Sequence, residues 1–144
     1  MTTAQEVFEL AMSLMDELNE STGAAVTADT REYMHRTVPI LNILRGELYP
    51  YSDTYVVIEP GKRPIPARLT KIEDVIDLDD YICQSVLPYG LAAHLLMQED
   101  LTSANYFQQR YEELKRMLEK GLPTVSEDIE DVYGGIEYCE FSRW

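Results

Sequence analysis

The residues of this chain able to do chemistry are few, and their spacing assigns them little of it. Histidine occurs twice, at His35 and His94, and cysteine twice, at Cys83 and Cys139. A histidine pair can hold a metal ion. These two fall on different predicted helices, and no Cys or Asp cluster stands beside either to complete a ligand set. Each reads instead as a partly buried, hydrogen-bonded histidine. Glu127, Asp128, Glu130 and Asp131 look like a cation patch. They lack the glycine and the spaced ligands of a calcium loop, so they read as a solvated acidic run. Cys83 has no histidine or basic neighbour in sequence to draw out a thiolate, and it reads as a small buried apolar residue. Nothing pairs it with Cys139, and a reduced, cytosolic chain is expected. The sequence holds no glycine-rich phosphate loop, no G-x-S-x-G and no H-E-x-x-H. The expectation is a protein that is not an enzyme and takes no cofactor and no metal.

The elements that position these side chains read as helices. Thr3 with Glu6 forms a capping box, and Val7, Leu10, Ala11, Leu14 and Leu18 share one face, which predicts a helix from Ala4 to about Asn19. Asp29 with Glu32 is a second capping box. It opens a helix whose buried stripe is Tyr33, Thr37, Leu41, Leu44 and Leu48, with Pro39 predicting a kink or a restart. A third helix follows Asp79 or Asp80, with Ile82, Val86, Ala93 and Met97 on one face. Within it, LPYGLAAHLL (Leu87 to Leu96) is apolar throughout, yet contains Pro88 and Gly90, the residue types a helix interior tolerates least. Pro88 predicts a bend, and Gly90 room for another backbone to come close. The fourth helix, about Thr102 to Lys120, carries Ala104, Phe107, Tyr111, Leu114 and Leu118 at three-four spacing, and Gly121 and Pro123 stop it.

Between the second and third helices the chain changes character. Residues 49–71 hold four of the seven prolines and the β-branched run Tyr55, Val56, Val57 and Ile58, and Pro60-Gly61 marks a turn. A short strand, a hairpin or an ordered extended loop fits. The end of the chain carries a Gly-Gly turn between β-prone arms, which allows a hairpin. Tyr133, Tyr138, Phe141 and Trp144 are too many aromatics for a solvated tail and suit a segment that docks on another surface. The fold class expected is all-α: a four-helix bundle-like domain over residues 1–121, with an extended or β insertion at about 49–72, and an aromatic, acidic interaction tail over 122–144.

Net charge is −14, which argues against gripping nucleic acid. The charge is also segregated. The first thirty residues hold six carboxylates and no Lys or Arg, Lys62, Arg63, Arg68 and Lys71 cluster in the insertion, and Glu127 to Glu140 is acidic again. Such segregation suits opposite charge on a neighbouring copy or partner. No secretory signal is apparent, and no apolar run reaches the roughly 20 residues that span a bilayer.

LPYGLAAHLLMQED and the following YFQQRYEELKRML resemble a pattern found in small tailed-phage and prophage proteins encoded among head and tail genes. The order of elements is similar to that of the phage head–tail connector (adaptor) family. The likeness covers mainly residues 80–118, and the long tyrosine-rich tail departs from it. The resemblance implies a structural virion protein of the neck, found in the host cytoplasm during assembly. It implies a homo-oligomeric ring, usually of twelve subunits, between the portal protein and a tail-side connector or tail terminator, with DNA passing through without specific binding and no membrane involved. On that basis the interaction residues are Tyr55, Val56, Val57, Ile58, Lys62, Arg63, Arg68 and Lys71 of the insertion and Tyr133, Tyr138, Phe141 and Trp144 of the tail. The alternatives are an acidic helical regulatory or binding protein and a tail-side structural component.

Overall fold

The computed structural model describes residues 1–16 and 21–121. These are mostly helical, with no β-strand among them. The elements in order are α1 (Ala4–Leu14), α2 (Arg31–Leu48), one turn of 3-10 helix (Tyr49–Tyr51), α3 (Asp80–Ser85), α4 (Leu87–Leu96) and α5 (Leu101–Lys120). The tail from residue 122, with its expected hairpin, lies outside the described residues.

The capping box at Thr3 forms. The Thr3 hydroxyl accepts from the Glu6 N–H (3.3 Å), and the Glu6 carboxylate accepts from the Thr3 N–H (2.8 Å). The buried face is Ala4, Val7, Phe8, Ala11 and Met12, turned from the expected stripe so that Leu10 is exposed. The helix stops at Leu14, because Asp16 enters the left-handed region at φ 59°, where a short polar side chain is tolerated. The remainder of the expected helix, from Glu17 to Asn19, lies outside the described residues.

The second capping box does not form. Thr30 is the cap residue, but its backbone is already helical (φ −90°, ψ −3°), whereas a cap oxygen reaches the first turn from an extended backbone. Its hydroxyl instead donates to the Ala25 carbonyl (2.7 Å) and closes the preceding turn. The buried stripe of α2 is as expected, with Arg45 added to it. The helix passes through Pro39 without a restart. Pro39 lies on the exposed side, where water can serve the carbonyl that proline leaves without a donor.

The expected third helix is two helices. Pro88 has no N–H to offer the Gln84 carbonyl, so the ladder of α3 ends at the bond from Val86 N–H to Ile82 (3.0 Å), and that of α4 begins at Gly90 N–H to Val86 (3.4 Å). Pro88 thus occupies the first turn of α4, where a missing N–H costs nothing. Met97, past the end of α4, is exposed rather than buried. Every residue of α4 except Tyr89 and His94 is buried, because α4 packs against α1, α2, α3 and α5 at once. An apolar surface all round the helix is what that position requires.

Gly90 answers to a side chain rather than a backbone. A Cβ there would lie 2.9 and 3.0 Å from ring atoms of Tyr111 and 3.1 Å from the Leu44 methyl. α5 starts at its Asp100 cap, whose carboxylate accepts from the Ser103 hydroxyl (2.6 Å) and N–H (3.2 Å). Ala104, Phe107, Tyr111 and Leu114 are buried and Leu118 partly so, as the spacing predicts, and Gly121 closes the helix.

Candidate interaction surface

The connection from α2 to α3 is long and tightly held at both ends. At its start, the Tyr49 hydroxyl donates to the Thr54 carbonyl (3.2 Å), and Tyr55 packs edge-on against Tyr49 with ring centres 5.3 Å apart. The Thr54 hydroxyl donates to the Asp77 carbonyl (3.1 Å), and the Asp79 N–H donates to the Ser52 hydroxyl (3.0 Å). At its far side, Asn42 of α2 grips Leu69 in both directions, donating to its carbonyl and accepting from its N–H, each at 2.9 Å. Arg45, one turn on, donates Nε to the same Asn42 oxygen (2.9 Å) and a guanidinium N–H to the Ala67 carbonyl. Residues 72–76 then run beside the start of the chain. Ala4 N–H donates to Asp74 (3.0 Å), Gln5 N–H to Ile72 (2.8 Å) and Ile76 N–H to Thr2 (2.9 Å).

Between these ties the chain is open. Tyr55 to Ile58 forms no strand, because no second segment among the described residues pairs with it. Among the described residues, the backbone groups of Val56, Val57 and Ile58 have no hydrogen-bond partner. Their side chains are 58, 56 and 86% exposed, and Ile65 is 85% exposed. Tyr55 differs from its neighbours: it is half-buried and anchors the segment.

The four cations that sequence groups together are split by the fold. Lys62 pairs with Glu59 across one turn, and Arg63 is exposed beside it. Arg68 and Lys71 line a separate open groove of about 970 Å³, between α2 and residues 68–72. His35 and Arg45 also line it. His35 is exposed there, not half-buried as expected, and His94 is half-buried on α4. Arg36, next to His35, donates to the His94 carbonyl (3.3 Å), and among the described residues no group of three or more His, Cys, Asp or Glu is placed to hold a metal. Cys83 is fully buried, and burial pushes its thiol up to about 12. No helix among the described residues is long and apolar enough to cross a membrane. Tyr133, Tyr138, Phe141 and Trp144 lie outside the described residues.

Sequence reasoning passed over Arg45 and Asn42. Arg45 is only 6% exposed, and burial lowers its pKa, with Asp77 opposing and Arg68 adding to the shift. Its place among Leu41, Leu44 and Leu48 is the available signal, since a charged residue on a buried stripe must find polar partners there.

Two carboxylates, Asp74 half-buried and Asp100 exposed, organise turns at this surface and at the start of α5. Asp74 accepts from the N–H groups of Lys71 and Thr70 and from the Thr70 hydroxyl, and these bonds hold it below the usual carboxylate range. Asp100 is lowered by the Ser103 hydroxyl and N–H. A depressed folded-state pKa adds stability above the unfolded value and loses it as pH falls through the folded one. Urea melts should therefore be insensitive to these groups near neutrality and lose midpoint progressively below pH 3.8, their ordinary value. Combining Asp74→Asn with Asp100→Asn should flatten that acid limb, and an unaltered limb would show that other carboxylates set it.

The chain matches no family model, no curated protein and no solved structure.

Proposed function

We propose that this protein does no chemistry and works as a structural connector. It assembles into a ring between phage portal and tail, extending the channel through which DNA passes. The observation that carries this reading is the insertion. Three consecutive exposed aliphatic residues, Val56 to Ile58, have backbone groups with no partner among the described residues, and they sit on a segment pinned at both ends. A mobile loop would lose much entropy on binding, whereas a pinned one loses little. Its free N–H and C=O groups can pair edge-to-edge with a strand of another subunit, and its side chains supply apolar contact. Lys62 and Arg63 would meet acidic surface on a neighbour or on the portal, adding to association rate more than to affinity. The carboxylates of the first thirty residues would face the lumen or a neighbour, and an acidic lumen repels phosphates. The resemblance at LPYGLAAHLLMQED supports the same assignment, with an arrangement of four principal helices, the insertion and the tail as its building plan.

The test is deletion of the gene from a producing phage or prophage. The expected result is heads that fill with DNA but do not join tails, with the protein present in wild-type particles. Normal joining of tails, with the protein absent from the particle, would favour an acidic helical regulator. Presence in purified tails alone would place it on the tail side.

A further inference from the structure

In a chain of net charge −14, the groove between α2 and residues 68–72 has an unusual lining. His35, Arg45, Arg68 and Lys71 face it, and no carboxylate does. Lys62, Arg110 and Lys115 pair with carboxylates elsewhere, but Arg45, Arg68 and Lys71 make no ion pair among the described residues. Asp74, three residues past Lys71, is committed to the backbone of Thr70 and Lys71, and Asp77 acts on Arg45 from outside the groove lining. The walls are apolar, from Val38, Ile43, Leu69 and Ile72, and Ile43 is 64% exposed. A ligand that fits carries both acidic and apolar groups.

We infer that this groove receives the C-terminal segment, residues 122–144, of a neighbouring copy of this chain. This rests on the connector reading and names the contact that would join its subunits. The segment has the required chemistry: from Glu127 to Phe141, carboxylates alternate with Ile129, Val132, Tyr133, Ile136, Tyr138 and Phe141, and no basic residue interrupts them. Two features direct it to a neighbour rather than to its own groove. As α5 advances, Tyr111 and Lys115 meet Glu47 of α2, and then Glu119 meets Tyr51. The two helices thus run the same way, while the groove extends from Arg45 back toward Met34. α5 therefore ends beside Tyr51, beyond the end of α2 that is opposite Met34. Gly121 also emerges beside Asp53 and Asp79, which repel an acidic chain turning back over that end. Each subunit gives one segment and receives one. That head-to-tail contact closes into a ring when the rotation between subunits allows it.

The experiment measures the native mass of the full chain by light scattering, together with the emission of Trp144, its single tryptophan. One variant reverses the groove (Arg68→Glu with Lys71→Glu), both residues being exposed and without an ion pair among the described residues. A second reverses the segment (Glu127→Lys, Asp128→Lys, Glu130→Lys and Asp131→Lys). The wild-type chain should form a closed oligomer with Trp144 shielded from quenchers. Each variant alone should assemble about 100-fold more weakly at low salt, with Trp144 exposed. An equimolar mixture should restore the oligomer, because each reversed groove then meets a reversed segment. A merely structural role for these charges would not be rescued by mixing. If one variant loses its helical circular dichroism, the other still tests the contact. An unchanged mass in the groove variant, or no rescue on mixing, overturns the groove assignment and leaves the ring standing. A monomeric wild type with Trp144 shielded at every dilution assigns the segment to its own chain and overturns the proposal. A monomeric wild type with Trp144 exposed overturns both the contact and the ring.

Discussion

Gly90→Val should lower the free energy of unfolding by about 3 kcal/mol, moving a urea midpoint down by about 1–2 M. The reason is position rather than backbone strain. Gly90 lies in the interior of α4, and an added Cβ would come within 2.9 Å of the Tyr111 ring and 3.1 Å of Leu44. Neither neighbour can yield cheaply. Tyr111 is 1% exposed and its hydroxyl is bonded to Glu47 at 2.9 Å, while Leu44 is fully buried. Gly90→Ala should cost less, because a helix gains about 1 kcal/mol when alanine replaces glycine, which offsets part of the overpacking. A branched side chain adds two more methyl groups and gains nothing comparable. If Gly90→Val melted like the wild type, α4 and α5 would have to stand further apart than this contact requires. Coupling of Gly90→Ala with Tyr111→Leu in a double-mutant cycle would locate the clash.

Leu114→Ala should cost about 2–5 kcal/mol. Leu114 is buried one turn beyond Tyr111 on the face of α5, the helix that packs most extensively on α4. Removing its side chain opens a void beside Leu14, Pro88 and Tyr89, with which it lines one groove, and relaxation recovers only part of the lost burial. Domains of this kind are stable by only about 5–15 kcal/mol, so the loss should be visible in both urea and thermal melts. A neutral result would mean that α5 does not close the core at that turn.

The core was legible where one face alone decides. The α5 stripe and the α2 stripe follow from three-four spacing, and the Thr3 cap follows from two residues three apart. Legibility failed where a second interaction competed for the same group. Asp29 and Glu32 fit a capping box, but the helix opens one residue later, with Thr30 at the cap position, its backbone already helical and its hydroxyl on the Ala25 carbonyl. Pro88 read as a kink because its position relative to the helix start was unknown. A proline in a first turn and a proline in a middle look alike in sequence. At the candidate surface, composition located the exposed aliphatics but not the division of the four cations. That division depends on Asn42 and Arg45, which fasten residues 67–69 to α2 from more than twenty positions away. No local pattern encodes such a tie.

The pairing of residues 2–5 with residues 72–76 has a consequence in time. During synthesis, α1 can form its own hydrogen bonds early, but its backbone ties do not exist until Ile76 has been made. At about 5–20 residues per second, α1 waits several seconds for these ties and for α4, the helix that packs most extensively on it, and longer while that segment clears the ribosome. The apolar face of α1 is therefore open to a chaperone over that interval. A ribosome stalled on the proline-rich insertion would leave that start open to protease, with the rest of its core not yet made.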